Sequence, residues 1–166
     1  MGFFDKLNGT RRPAAGVAAV PAARMREALL GVNRSDAPYV VRDAPADDTA
    51  DLVAEWRMTE PRWHALFLDS QMSRAVRIRM RLVAESHEVR VVEEQREVRR
   101  VGNPPRMVVS SEVTRGPSRT VTRYYSVGGG TATQVFRYDS SELRDPLRNI
   151  VLGAGWTWRG VLVGKP

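Results

Sequence analysis

Arg77, Arg79 and Arg81 occupy every second position between Val76 and Leu82, and they are the residues whose type and spacing speak most directly of chemistry. On an extended strand, alternate side chains share a face, so three guanidinium groups would stand about 6.6 Å apart. Arg74 precedes them, and no acid occurs between Asp69 and Glu85. Guanidinium matches the geometry of phosphate and carboxylate, which makes the row a candidate anion-binding stripe. Arg90 joins it if the next strand folds back. The competing reading is a solvated sheet face partly neutralised by Glu94.

Other chemistries have thinner support. Strict alternation with Val89 and Val91 would bury Glu93, and a buried unpaired carboxyl has a raised pKa suited to acid–base work. A β-bulge near Val92 or Glu93 would instead turn it outward. His64 and His87 lack the spacing of a helical metal pair. No Gly-x-Ser-x-Gly elbow occurs, and Gly128-Gly129-Gly130 lacks the lysine of a phosphate loop. No nucleophile–base set, metal set or cofactor fingerprint is visible, so no catalytic residue, metal ligand or cofactor is expected. Trp56, Trp63, Trp156 and Trp158 either anchor the core or line an apolar ligand pocket.

Composition bounds these readings. The 166 residues suffice for one domain with a sizeable core. There is no cysteine, which excludes disulfides, thiolate catalysis and Cys-ligated metal. It also favours a reducing compartment, so a soluble cytoplasmic protein is expected. The net charge is +7, and 24 of the 26 basic residues are arginine. Residues 101–166 hold most of the surplus, with nine basic and four acidic residues. That surplus permits anionic partners without requiring them. No apolar run reaches the length of a membrane helix. Arg11-Arg12 before an Ala/Pro stretch loosely mimics a twin-arginine signal, but two prolines and Arg24 argue for a linker.

Stepping along the chain, residues 1–20 read as a flexible arm opening on the apolar cluster Phe3, Phe4 and Leu7, which suits a docked segment or a membrane- or partner-touching peptide. One short helix spans Pro21 to Leu30, and Pro38 to Asp43 is a candidate edge strand before a loop. The body, residues 51–166, opens with a strand through Leu52, Ala54, Trp56 and Met58. A helix follows from Glu60 to about Gln71, capped by Thr59. Val76–Leu82 is a strand with one hydrocarbon face and one arginine face. A hairpin through residues 84–87 sets Leu82 opposite Val89, Met80 opposite Val91, Arg81 beside Arg90 and Arg77 beside Glu94. Further strands at 107–114, 120–126 and 133–138 extend this to a five-strand meander from Arg74 to Tyr138. A last helix, capped at Ser140 or Ser141, or else at Asp145, carries the stripe Leu143, Leu147, Ile150, Val151 and Ala154. Trp156 to Val163 closes the fold as a strand. The expected class is α+β, a curved antiparallel meander of five or more strands packed on a C-terminal helix and a shorter N-terminal helix.

The segments Leu52–Arg57, Arg77–Leu82 and Ala154–Val161, with the Met1–Leu7 start, resemble a family of small actinobacterial proteins without an assigned function. That resemblance implies no site residue. The order of elements is similar to helix-grip folds, in which a curved sheet wraps a long C-terminal helix over an apolar cavity. The strand after the last helix and the single helix before the meander depart from that pattern.

Three functions fit these residues. The first is a non-enzymatic binding or protein-interaction module. The second is a binder of nucleic acid or another polyanion through Arg74, Arg77, Arg79, Arg81 and Arg90. The third is a carrier of a small apolar ligand in a pocket of Trp56, Trp63, Trp156 and Trp158.

Overall fold

The alternation around Val76 produces the central strand of the sheet. β3 runs Arg74–Val83 in the computed structural model, which describes residues 2–70, 72–162 and 166. Val76, Ile78 and Met80 are buried, Leu82 is half-buried, and Arg81 on the opposite face is exposed. The chain turns through Ala84–Ser86 and His87, whose φ of 48° is left-handed, into β4, Glu88–Val101. The register places Leu82 opposite Val89, Met80 opposite Val91, Arg81 opposite Arg90 and Arg77 opposite Glu94, as expected.

The five-strand antiparallel meander exists, but it is built from other strands than those expected. β1 (Tyr39–Asp43), β2 (Leu52–Trp56), β3, β4 and β5 (Arg106–Arg115) pair in chain order and form a curved half-barrel. β6 (Val121–Gly128) and β7 (Thr131–Asp139) leave it and form a separate hairpin. The departure starts at Gly116, whose φ of 129° no ordinary side chain favours, followed by Pro117. The Gly116 N–H still donates to the Glu93 carbonyl at 3.1 Å. The other half of that β4 edge is taken by β8 (Thr157–Gly160), which runs parallel to β4 from Glu88↔Thr157 to Val91↔Gly160.

The expected bulge at Val92 or Glu93 is absent. β3 and β4 pair without interruption from Arg74↔Glu97 to Val83↔Glu88, and the register shift lies further on, between Arg96 and Val98 against β5. Val92 therefore faces the arginine side and Glu93 the core. Val92, Arg79 and Val53 form one row across three strands, and both valines are fully buried.

Helices cover the apolar face. α2 (Ala22–Leu30) contributes Met25 and Leu29, α3 (Pro61–Asp69) Trp63 and Phe67, and α4 (Ser140–Gly153) Leu143, Leu147 and Val151. The N-cap of α3 is Glu60 rather than Thr59. The cap of α4 is Asp139, whose carboxylate accepts from the Ser141 N–H at 3.0 Å, so none of Ser140, Ser141 and Asp145 is the cap. Pro146 lies inside α4 and removes one donor from its ladder. Tyr138 is fully buried, and its hydroxyl accepts from the Val76 N–H at 2.8 Å. Gln71 and Val163, expected as the ends of a helix and a strand, lie outside the described residues.

Residues 8–20 run past Gly155–Gly160 at the C-terminal strand. α1 (Phe3–Leu7) is followed by Arg11, which exchanges both backbone hydrogen bonds with Trp158, at 2.8 and 2.9 Å. The Thr10 hydroxyl accepts from the Gly160 N–H, and the Trp156 Nε1–H donates to the Val20 carbonyl at 2.8 Å. Among the described residues, no helix is long and apolar enough to cross a membrane.

Candidate functional site

The arginine row does not act as one unit. Carboxylates brought from three other segments meet its middle. Arg79 donates to Asp48 at 3.1 Å, to Thr49 at 3.2 Å and to Glu94 at 3.3 Å. The pull of Arg79 outweighs desolvation and holds the Asp48 carboxyl below its ordinary range. Arg77 lies 3.8 Å from Glu55 and 3.9 Å from Asp48, and its Nε–H is buried without a hydrogen-bond partner. Glu94 is only 3% exposed and is also approached by Arg96 at 3.7 Å and Arg115 at 4.0 Å. Charges this enclosed hold the loop of Asp48 and Thr49 over the sheet, and they are already compensated. Arg74 is not part of the row: it shares the side of β3 with Val76 and Ile78, where it is exposed, stands opposite Glu97 and borders an open groove of about 700 Å³.

The Arg81 end of the row is different. Arg81 pairs with Arg90 across β3 and β4, and Arg90 pairs with Arg159 across β4 and β8. Three arginines thus occupy consecutive positions on three adjacent strands. Like charges directly opposite on a sheet repel, so the arrangement calls for a counter-charge. Glu88 supplies one: its carboxylate accepts from Arg159 Nη1 at 2.9 Å and from Arg90 Nε at 3.4 Å. Burial pushes the Glu88 carboxyl up, but Arg159 and Arg90 leave it below its ordinary value. Among the described residues no carboxylate pairs with Arg81. One carboxylate against three guanidinium groups leaves a local positive surplus on exposed or half-exposed side chains.

Arg159 was not among the residues singled out from the sequence. It is the lone arginine of β8, and its place beside Arg90 depends on a parallel pairing between distant segments that no local pattern signals.

The four tryptophans all belong to the hydrophobic core. All are buried, Trp156 and Trp158 to within 1%. Trp56 packs against Tyr138 at 4.3 Å, Phe67 at 5.9 Å and Tyr39 at 6.0 Å, while Trp156 meets the His87 ring at 5.5 Å. Trp56 also borders a cleft of about 190 Å³ shared with Glu55, Met58, Thr59, Arg77 and Arg96. His64 points its Nδ1 at the Met58 carbonyl, 2.9 Å away.

Glu93 is buried on the core side and has partners. Arg144 on α4 donates to it at 3.3 Å, and the same Nη1 donates to the Ser118 carbonyl at 3.1 Å. Desolvation raises the Glu93 carboxyl above its usual value, although Arg144 and the Ser118 N–H oppose the rise. This is an internal tie between β4, the loop after β5 and α4, with its lone pairs already engaged.

The chain matches no protein-family model, no curated protein and no solved structure.

Proposed function

We propose that this chain is a non-enzymatic binding module that takes an anionic partner on the outer sheet face through Arg81, Arg90 and Arg159. The observation that carries the reading is the cross-strand triplet of arginines served by a single carboxylate, Glu88. A bound anion offsets the repulsion built into that row, and guanidinium offers a fork of donors suited to phosphate or carboxylate. The enclosed state of Arg77 and Arg79 favours an architectural role for those two instead. Burial of all four tryptophans favours this reading over an apolar-ligand carrier. The engagement of Glu93 by Arg144 weighs against acid–base catalysis at that carboxyl. A cysteine-free chain suits the cytoplasm, where we place the module.

Gel shifts with single-stranded and duplex DNA as model polyanions, at low and moderate salt, test the reading. Binding should weaken with salt, and the salt slope should fall by about one for each of Arg81, Arg90 and Arg159 replaced by Gln. Absence of any shift at low salt would reject it.

A further inference from the structure

Two strands separate beside Trp56. β2 and β3 pair as far as Glu55↔Arg77, and one residue further along the Val76 N–H turns to the Tyr138 hydroxyl instead. The cleft of about 190 Å³ lies where they part, between Trp56 and Met58 on one side and Ala75 and Val76 on the other. Ala75 stands opposite Arg96 and two positions before Arg77. Its side chain is a single methyl group, and both arginines border the space beside it.

Unpaired donors gather on this cleft. Trp56 is 3% exposed, and its Nε1–H is buried without a hydrogen bond. The Nε–H groups of Arg77 and Arg96 are in the same state. Among the described residues, four buried side-chain N–H donors lack a partner, and three of them belong to residues that line this one cleft. The carboxylate oxygens around the two arginines lie 3.8 and 3.9 Å from Arg77 and 3.7 Å from Arg96, beyond hydrogen-bond reach. Attraction thus holds the guanidinium groups in place while their donors stay uncommitted. A buried donor left unpaired forfeits its hydration with no return, and native proteins rarely tolerate it without a use.

We propose that this cleft binds a small monocarboxylate with a short apolar body. Indole and guanidinium nitrogens donate and never accept, so the ligand's polar end must be an acceptor. The local charges favour an anion. Glu94 is divided among Arg79, Arg96 and Arg115, and Glu55, the acid on the cleft wall, is divided between Arg42 and Arg77. A planar carboxylate matches the guanidinium fork of Arg77 or Arg96, and Trp56 Nε1–H supplies a further donor. The remaining wall, Met58, Val76 and Val109, is apolar and suits hydrocarbon rather than a second charge. At roughly 30 Å³ per water-sized group, the cleft has room for about six, which selects a short-chain or one-ring acid. This site is separate from the triplet of Arg81, Arg90 and Arg159 and does not depend on it.

Nitrogen-15 NMR of the full-length chain tests this, with the Trp56 indole and the Arg77 and Arg96 Nε–H resonances assigned. Titration with hexanoate and with benzoate should move all three saturably, with dissociation constants in the millimolar range expected of ligands this small. Hexanamide, which lacks the charge, and inorganic phosphate, which lacks the body, should bind about tenfold more weakly or worse. Arg96→Gln, at a side chain 30% exposed, should weaken hexanoate binding by about tenfold while leaving DNA binding unchanged. Arg81→Gln should leave hexanoate binding as it is. No saturable movement of the Trp56 indole with either acid would overturn the proposal, as would shifts confined to Arg81, Arg90 and Arg159. Phosphate or hexanamide binding as well as hexanoate would overturn the carboxylate assignment. The parent titrations decide these points without any variant, and their failure leaves the anionic-partner reading untouched.

Discussion

Arg79 and Arg81 stand two positions apart on one face of β3, and their guanidinium groups have opposite surroundings. That of Arg79 is held by Asp48, Thr49 and Glu94, with 13% of its side chain exposed. Arg81 faces Arg90 and is exposed. Breaking an enclosed ion pair leaves a buried charge without compensation and is strongly destabilising. Arg79→Gln should therefore cost about 3 kcal/mol in urea unfolding. Arg81→Gln should stay within about 0.5 kcal/mol of the parent and show its effect only in polyanion binding. Equal stability losses for the two variants would refute this division of labour.

The tie between Glu93 and Arg144 makes a prediction in two parts. Arg144→Met strands a buried carboxyl and should cost about 3 kcal/mol, whereas Glu93→Leu combined with Arg144→Met should cost less than the single change. The pH dependence has a definite sign. Burial keeps the folded carboxyl protonated to higher pH than the unfolded one, so the folded state binds more protons in that window. Stability attributable to Glu93 then falls as pH rises from about 4.3 toward the raised folded value. The stability of the parent relative to Glu93→Gln, measured by urea unfolding at steps through that range, should decline; a flat difference would contradict the assignment.

Asp139 works in the opposite sense. Arg119, at 2.9 Å, is the main cause that holds its carboxyl far below the ordinary range, with Ser141 assisting and burial opposing. The folded carboxylate is stabilised, so its contribution is complete above an unfolded pKa of about 3.9 and is lost as pH falls through the lower folded value. Asn also caps helices, so Asp139→Asn isolates the charge. The variant should be less stable than the parent at neutral pH, and the gap should close in strong acid. Thermal unfolding of both proteins at the two extremes reads this directly.

Gly160 tests how the N-terminal segment is seated. Its missing side chain is what allows Asn8 to approach. Gly160→Ala should push residues 8–12 off β8 at a cost of about 1–3 kcal/mol, as other forced overpacking does. Amide exchange at Arg11 and Trp158 should accelerate, and cleavage near the N-terminus should increase while the helical and sheet signals of the body persist. Unchanged protection at those two amides would place the strap elsewhere.

Much of the fold is written in local pattern. The alternation Val76–Leu82 and the four-residue turn after it set the β3–β4 register residue by residue, because a hairpin pairs neighbours and its geometry follows from the turn and the buried face. The periodic stripe Leu143, Leu147 and Val151 likewise predicts α4 and its buried side. The phase break at Val92 and Glu93 was visible too, but its resolution was not. An ionic row on one face and a partner arginine on α4 tolerate what an isolated strand would correct with a bulge, and neither partner lies nearby in the chain.

By itself, then, the sequence determined the elements of the body, though not the helix α1 within the expected arm, together with the side of β3 that enters the core and the α+β class, since these follow from periodicity within a few residues. Tertiary structure decided which strands share the main sheet, which arginines are consumed by carboxylates, and which one completes the exposed triplet. Arg159 lies 71 positions from Glu88 yet shares its carboxylate. Such pairings are selected by whichever sheet edge remains open once the rest of the chain has packed, and that competition leaves no mark on local sequence.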